Sequence, residues 1–188
     1  MPRRRVQQFI IITLLLWLGA CARQYKPGEL ASDINIGGTY YTQFSLFEEK
    51  NEFRTTNYRR GVLIPINTPV TLVSIDKKRI AVKLAENGQP LTVVNMQKHT
   101  GEDSQQAFRK IFGKRKVELA RFRPEERDGI LAGQVRNGMS KKAVLAAIGY
   151  PPVTRTPSLQ ADEWTYWASR HDRFIVRFKH DQVVDLAD

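Results

Sequence analysis

The chain has 188 residues, a formal charge of +11 and 41% apolar residues, enough for one mid-sized domain or two small ones. A single cysteine excludes an internal disulfide framework, so the fold has to hold by apolar cores. The positive balance calls for an anionic partner such as lipid headgroups, cell-wall polymer or the acidic face of another protein.

The chain begins with Arg3, Arg4 and Arg5, then an apolar run from Phe9 to Leu18, then Gly19 and Ala20 ahead of Cys21. A positive start, a short hydrophobic run and small residues at a cleavage point make an export signal. The run is half the roughly 20 residues needed to span a bilayer, so it reads as a transient leader over residues 1–20. Leu18-Gly19-Ala20-Cys21 resembles the lipobox of bacterial lipoproteins. That resemblance implies acylation of the Cys21 thiol and a mature chain tethered to a membrane by lipid on Cys21. Acylation also disposes of a lone thiol that would be a liability in an exported protein. Ala22 stands where many inner-membrane lipoproteins carry aspartate, so the expected location is the outer membrane, facing the periplasm. Removal of the leader, with its three arginines and no acid, leaves a charge of +8. Nucleic acid is the usual partner of a basic chain, but the leader argues against it.

Residues 21–38, with Pro27, Gly28, Gly37 and Gly38, show little periodicity and are expected to form a tether. A β-rich module follows over 39–95. Tyr40, Thr42, Phe44 and Leu46 alternate with period two. Val62-Leu63-Ile64, Val70 to Ile75, Ile80 to Leu84 and Leu91 to Val94 read as further strands, with Asn87-Gly88 as a hairpin signal. Gly61-Val62-Leu63-Ile64-Pro65 with Thr68-Pro69-Val70 looks like bacterial SH3-type domains, which implies a small barrel.

Residues 96–122 read as a helical basic linker. A helix over Ser104 to Ile111 is capped by Asp103 or Ser104, with Ala107, Phe108 and Ile111 on one face. Arg109, Lys110, Lys114, Arg115, Lys116 and Arg121 form a basic cluster, readable as a solvated helix end or as a surface for anionic headgroups.

Residues 123–188 form the last module. Pro124-Glu125-Glu126 opens one helix and Gly133 ends it. Ser140 caps a second, which carries Val144, Ala147 and Ile148 and stops at Gly149 and Pro151. Strands follow at Asp162 to Trp167, Phe174 to Phe178 and Val183 to Leu186. The expected fold class is therefore α+β, a small barrel-like N-terminal module followed by two helices over a three-stranded antiparallel meander. Met139, Val144, Ile148 and Trp164 are expected to fill the C-terminal core.

Gly138-Met139-Ser140, Val144, Ile148-Gly149-Tyr150-Pro151, Asp162, Trp164, Tyr166 and a strand containing Phe178 resemble the SmpA/OmlA family. These are small outer-membrane lipoproteins, also called BamE, accessory to the β-barrel assembly machinery. The resemblance covers about 124–188, and it implies a scaffold or assembly role with protein partners of that machinery. The chain departs from the family's pattern in two ways. About a hundred residues separate the lipid site from this module, and Pro152 adds a second proline to the turn.

Tyr150, Tyr166, Trp167, Arg170 and Arg173 are the expected exposed set. Tyr150, Trp167, Arg170 and Arg173 are the candidate partner-binding residues, because Tyr, Trp and Arg are enriched at interface hot spots. His99, His171 and His180 have no ligand spacing, and Glu48-Glu49 and Glu125-Glu126 suit turns and helix starts. The expectation is a non-catalytic protein with no metal and no cofactor. Two other readings stay open: a peptidoglycan-binding lipoprotein, and a subunit of a secretion or surface-appendage system.

Overall fold

Alternation in the first half builds a curled half-barrel sheet, and the second half packs two helices on a three-stranded one. The computed structural model describes residue 25 and residues 29–187. The expected leader and Cys21 lie outside the described residues. In chain order the elements are β1 (Thr39–Thr42), β2 (Leu46–Glu48), β3 (Glu52–Arg54), β4 (Val62–Ile64), β5 (Pro69–Ile75), β6 (Arg79–Leu84) and β7 (Pro90–Val94). Then come α1 (Gln97–Thr100), α2 (Ser104–Ile111), β8 (Phe112–Gly113) and a 3-10 turn at Leu119–Arg121. The chain finishes with α3 (Pro124–Ala132), α4 (Lys141–Ile148), β9 (Glu163–Trp167), β10 (Arg173–Lys179) and β11 (Gln182–Ala187). The fold is mixed α+β, as expected.

The large sheet runs β3-β7-β6-β5-β1-β8, with β3 parallel to β7 and every other pair antiparallel. Pro69 opens β5, where a missing N–H costs no ladder bond. A register shift between Leu72 and Ser74 turns Val73 outward while Val70, Leu72 and Ile75 stay inward. Gly88 takes a φ of 72° in the loop that returns β6 to β7, at the expected hairpin. β2 and β4 form a separate two-stranded ribbon.

Two expected boundaries change. The stretch 96–122 is not a linker, because its central part belongs to the first core. Asp103 accepts from the Gln106 N–H at 2.8 Å and the Gln106 side chain accepts from the Asp103 N–H at 3.0 Å, a reciprocal cap that starts α2. Ala107, Phe108, Ile111 and Phe112 are then buried under the sheet, and β8 pairs with β1. Nor are residues 29–38 a free tether. Ile34 is buried, the Gly37 N–H donates to Leu72 O at 2.7 Å, and Arg109 grips Asp33 through two nitrogens at 2.7 and 2.8 Å. Local periodicity is silent about such docking because the segment lies on the sheet through a few separate contacts.

The C-terminal half matches expectation more closely. Pro124 sits in the first turn of α3, Gly133 ends it with a φ of 62°, and the Ser140 hydroxyl accepts from the Ala143 N–H to start α4. β11-β10-β9 form the meander. Its covered face, Trp164, Tyr166, Phe174, Val176, Phe178 and Val183, packs on Ile130, Met139, Ala143, Val144, Ala147 and Ile148. Trp164 and Phe178 meet at 4.7 Å between ring centroids, and Tyr166 stacks on Phe174 at 5.2 Å. Tyr166 is thus fully buried rather than exposed. Its hydroxyl donates to Gly149 O at 3.1 Å, and burial pushes its pKa well above the usual tyrosine value.

Glu126 ties the two helix starts together. Its carboxylate accepts from the Ser140 N–H at 2.7 Å and the Arg123 N–H at 3.0 Å, with the Arg123 guanidinium 3.3 Å away. Burial alone would raise its pKa. The hydrogen bonds from Arg123 and Ser140 outweigh burial and bring the carboxyl from its ordinary 4.5 down to about 2.

The two cores meet along a seam. The buried Ser45 hydroxyl accepts from the Ile66 N–H at 3.1 Å and donates to Ile130 O at 2.9 Å, while the Ser45 N–H reaches Ala146 O. Tyr58 crosses from the first half into the second core, with its ring edge-on to Tyr166 at 4.8 Å and its hydroxyl donating to Tyr150 O at 3.0 Å.

Candidate functional site

Beside this seam lies an open cleft of about 650 Å³. One wall is the turn after β2 with β3 and the following loop, carrying Glu49, Glu52, Arg54 and Arg60. The floor is Met96 and His99 at α1. The other wall is the end of β9 and its hairpin, with Trp167, Ser169 and Arg170.

Strand alternation sets the Trp167 side chain. Trp164 and Tyr166 face the core, so Trp167 projects from the opposite side and stays half-buried. Arg173, directly across the ladder on β10, places its guanidinium carbon 5.9 Å from the Trp167 ring centroid. Arg155 reaches the same ring at 5.6 Å. The His99 ring stands edge-on to it at 6.0 Å, held by a hydrogen bond between Nδ1 and the Thr154 hydroxyl at 3.0 Å. Arg170 tips the hairpin, which the Ser169 hydroxyl closes by donating to the Asp172 carboxylate at 2.6 Å.

Charge is distributed unevenly across the cleft. Arg54 pairs with Glu52 at 2.9 Å and Arg60 with Glu49 at 3.1 Å, so the first wall is close to neutral. Among the described residues Arg170 on the second wall pairs with no carboxylate, and neither do Arg155 and Arg173 beside the Trp167 ring, which leaves this side cationic. A guanidinium stacked on an indole keeps its edge N–H donors available. The pair therefore offers a flat apolar surface and a bidentate grip for carboxylate or phosphate at one place.

Of the residues expected from the sequence, Trp167, Arg170 and Arg173 come together here. Tyr150 does not join them. It lies in a neighbouring, smaller cavity of about 110 Å³, half-buried against Phe44 at 6.1 Å, with the Lys110 ammonium 4.5 Å over its ring. Its carbonyl receives Tyr58, so its role is at the seam. The sequence reading tied neither Arg155 nor His99 to Trp167, since nothing in local spacing links position 99 or 155 to 167. The basic cluster is also divided. Arg109 pairs with Asp33 and Lys110 with Glu102, and Lys114, Arg115 and Lys116 follow β8 on the surface.

Among the described residues no three His, Cys, Asp or Glu side chains are grouped to hold a metal ion, and no helix is long and apolar enough to cross a membrane. The class defined so far is an α+β protein with an aromatic and cationic cleft at the junction of two cores. Comparison of the chain with protein-family models, with curated proteins and with solved structures returned no match.

Proposed function

We propose that this is an outer-membrane-anchored, periplasm-facing lipoprotein that serves as a non-catalytic scaffold or assembly factor in outer-membrane protein biogenesis or envelope integrity. Its place at the membrane is read from Leu18-Gly19-Ala20-Cys21, with the lipid on Cys21. The order of α3, α4 and the β9–β11 meander supports treating residues 123–188 as the SmpA/OmlA-like, BamE-like module. The curled sheet is the counterpart of the SH3-like reading of the first half. The observation that carries the binding role is the indole of Trp167, which lines an open cleft beside Arg170 and has the Arg155 and Arg173 guanidinium groups close to its ring. Lipid anchoring raises the local concentration of such a surface around membrane-bound partners, so modest contacts suffice.

The test is in-cell crosslinking and recovery of the lipidated, tagged protein, beside Cys21→Ser and a double variant, Arg170→Glu with Arg173→Glu. Recovery of barrel-assembly subunits that is lost in the double variant, at unchanged melting temperature, is the expected result. Recovery of cell-wall polymer instead would move the function to peptidoglycan binding. Equal recovery in the double variant would remove the cleft from the partner surface.

A further inference from the structure

The first described residues bear on how such a protein would sit on its membrane. Tyr25, Leu30 and Ala31 pack against the first core. The Gln105 side chain of α2 accepts from the Ala31 N–H at 2.8 Å and donates to Glu29 O at 3.0 Å. One turn further along, Arg109 grips Asp33 through its Nε and Nη2. Residues 29–33 are therefore fastened to α2.

Tyr25 is four steps along the chain from Cys21, and fully extended these reach about 14 Å. Even counted to Glu29, the reach is about 28 Å. A folded unit of about 160 residues is about 40 Å across. An anchor at Cys21 is shorter than the body it holds, so it restricts which face can meet the bilayer.

That face is basic. Lys114, Arg115 and Lys116 are exposed directly after β8, five to seven positions along the chain from the Arg109 that holds Asp33. Among the described residues none of the three pairs with a carboxylate, and the Lys116 ammonium rests 5.6 Å over the Tyr41 ring. Arg109 and Lys110, in contrast, are taken up by Asp33 and Glu102.

We propose that the acylated end holds the α2–β8 corner against the bilayer, with Lys114, Arg115 and Lys116 on anionic phospholipid headgroups. The proposal rests on the reading of Cys21 as acylated. It makes residues 29–38 a short strap that orients the molecule. The cationic cleft at Trp167 is a separate surface, left for partners.

The experiment places a nitroxide on Lys114→Cys in the full-length acylated chain, where Cys21 has no free thiol to compete. The protein is reconstituted in phosphatidylethanolamine vesicles with and without phosphatidylglycerol, both containing a nickel-chelating headgroup lipid. Strong broadening of the nitroxide spectrum in the phosphatidylglycerol vesicles is expected. Adding Arg115→Glu with Lys116→Glu should reduce it several-fold. Mass spectrometry of the same samples reads acylation at Cys21. Acylated protein with no broadening at position 114 overturns the orientation and leaves the lipoprotein reading standing. Broadening that is equal without phosphatidylglycerol, or indifferent to charge reversal, overturns the headgroup contact. An unmodified Cys21 overturns the lipoprotein reading and the orientation together.

Discussion

Trp164 and Glu126 show how differently two buried side chains hold one module. Trp164 is fully covered and contributes packing, with its ring against Phe178. Trp164→Ala is expected to cost about 3–5 kcal/mol in urea unfolding, because the neighbouring helices and sheet cannot close the space. Glu126 contributes as an anion that accepts from two backbone amides and pairs with Arg123. Its folded pKa of about 2 lies below its ordinary 4.5. The stability it supplies is therefore complete above about pH 4.5 and is lost as pH falls toward 2. Glu126→Gln should destabilise the protein by about 1–3 kcal/mol at pH 7. The gap between the two proteins should narrow across that acid range in parallel denaturation curves. A gap independent of pH would show that shape, and not charge, matters at this position. The role of Trp164 was readable from the chain, since alternation placed it on the covered side. That of Glu126 was not, because Ser140 comes fourteen positions later and no local pattern pairs them.

At the scale of elements, short β2 and β4 depend on backbone geometry more than on apolar content. Gly61, just before β4, has a φ of 94°, and a Cβ there would stand 2.0 Å from the Glu48 carbonyl oxygen. Both the torsion and the approach to backbone exclude a side chain. Gly61→Ala should cost about 1–3 kcal/mol of strain and loosen the β2–β4 ribbon. Faster amide exchange at Leu46, Glu48 and Ile64 would report that loosening, and unchanged exchange would place the accommodation elsewhere. Helices α2, α3 and α4 followed their signals closely, whereas α1 had not been expected. Asp103 and Ser140 cap where expected, and Gly133 and Gly149 stop them. Capping acts within one turn, so four or five consecutive residues carry the whole instruction. The pairing of β3 with β7 in parallel, across nearly forty residues, has no such local carrier.

For the whole molecule, the seam decides whether the two cores behave as one. Ser45 is the polar knot in it, with its hydroxyl serving Ile66 N–H and Ile130 O out of contact with water. Ser45→Ala should cost about 1–3 kcal/mol, because two backbone groups lose a partner in a buried place. With Ser45 intact, tryptophan fluorescence, read at the C-terminal Trp164 and Trp167, should unfold together with far-ultraviolet circular dichroism, which reports on the whole chain. Two separated transitions in the unmodified protein would mean that the seam is too weak to couple the cores. The same seam creates the cleft by bringing Met96 and His99 of one half beside Trp167 and Arg170 of the other.

The residues alone settled what depends on neighbours a few positions apart. The helix caps and stops, the period-two strands and the aromatic face of the meander are of this kind, because amide capping and strand alternation act over one or two turns of chain. Tertiary structure decided what depends on distant partners. It brought Arg155 and His99 to Trp167, drew Tyr150 out of that group to the seam and fastened residues 29–38 to the first core. Each of these rests on contacts between segments far apart in the chain, which are set by how the two cores pack and leave no periodic trace in the sequence.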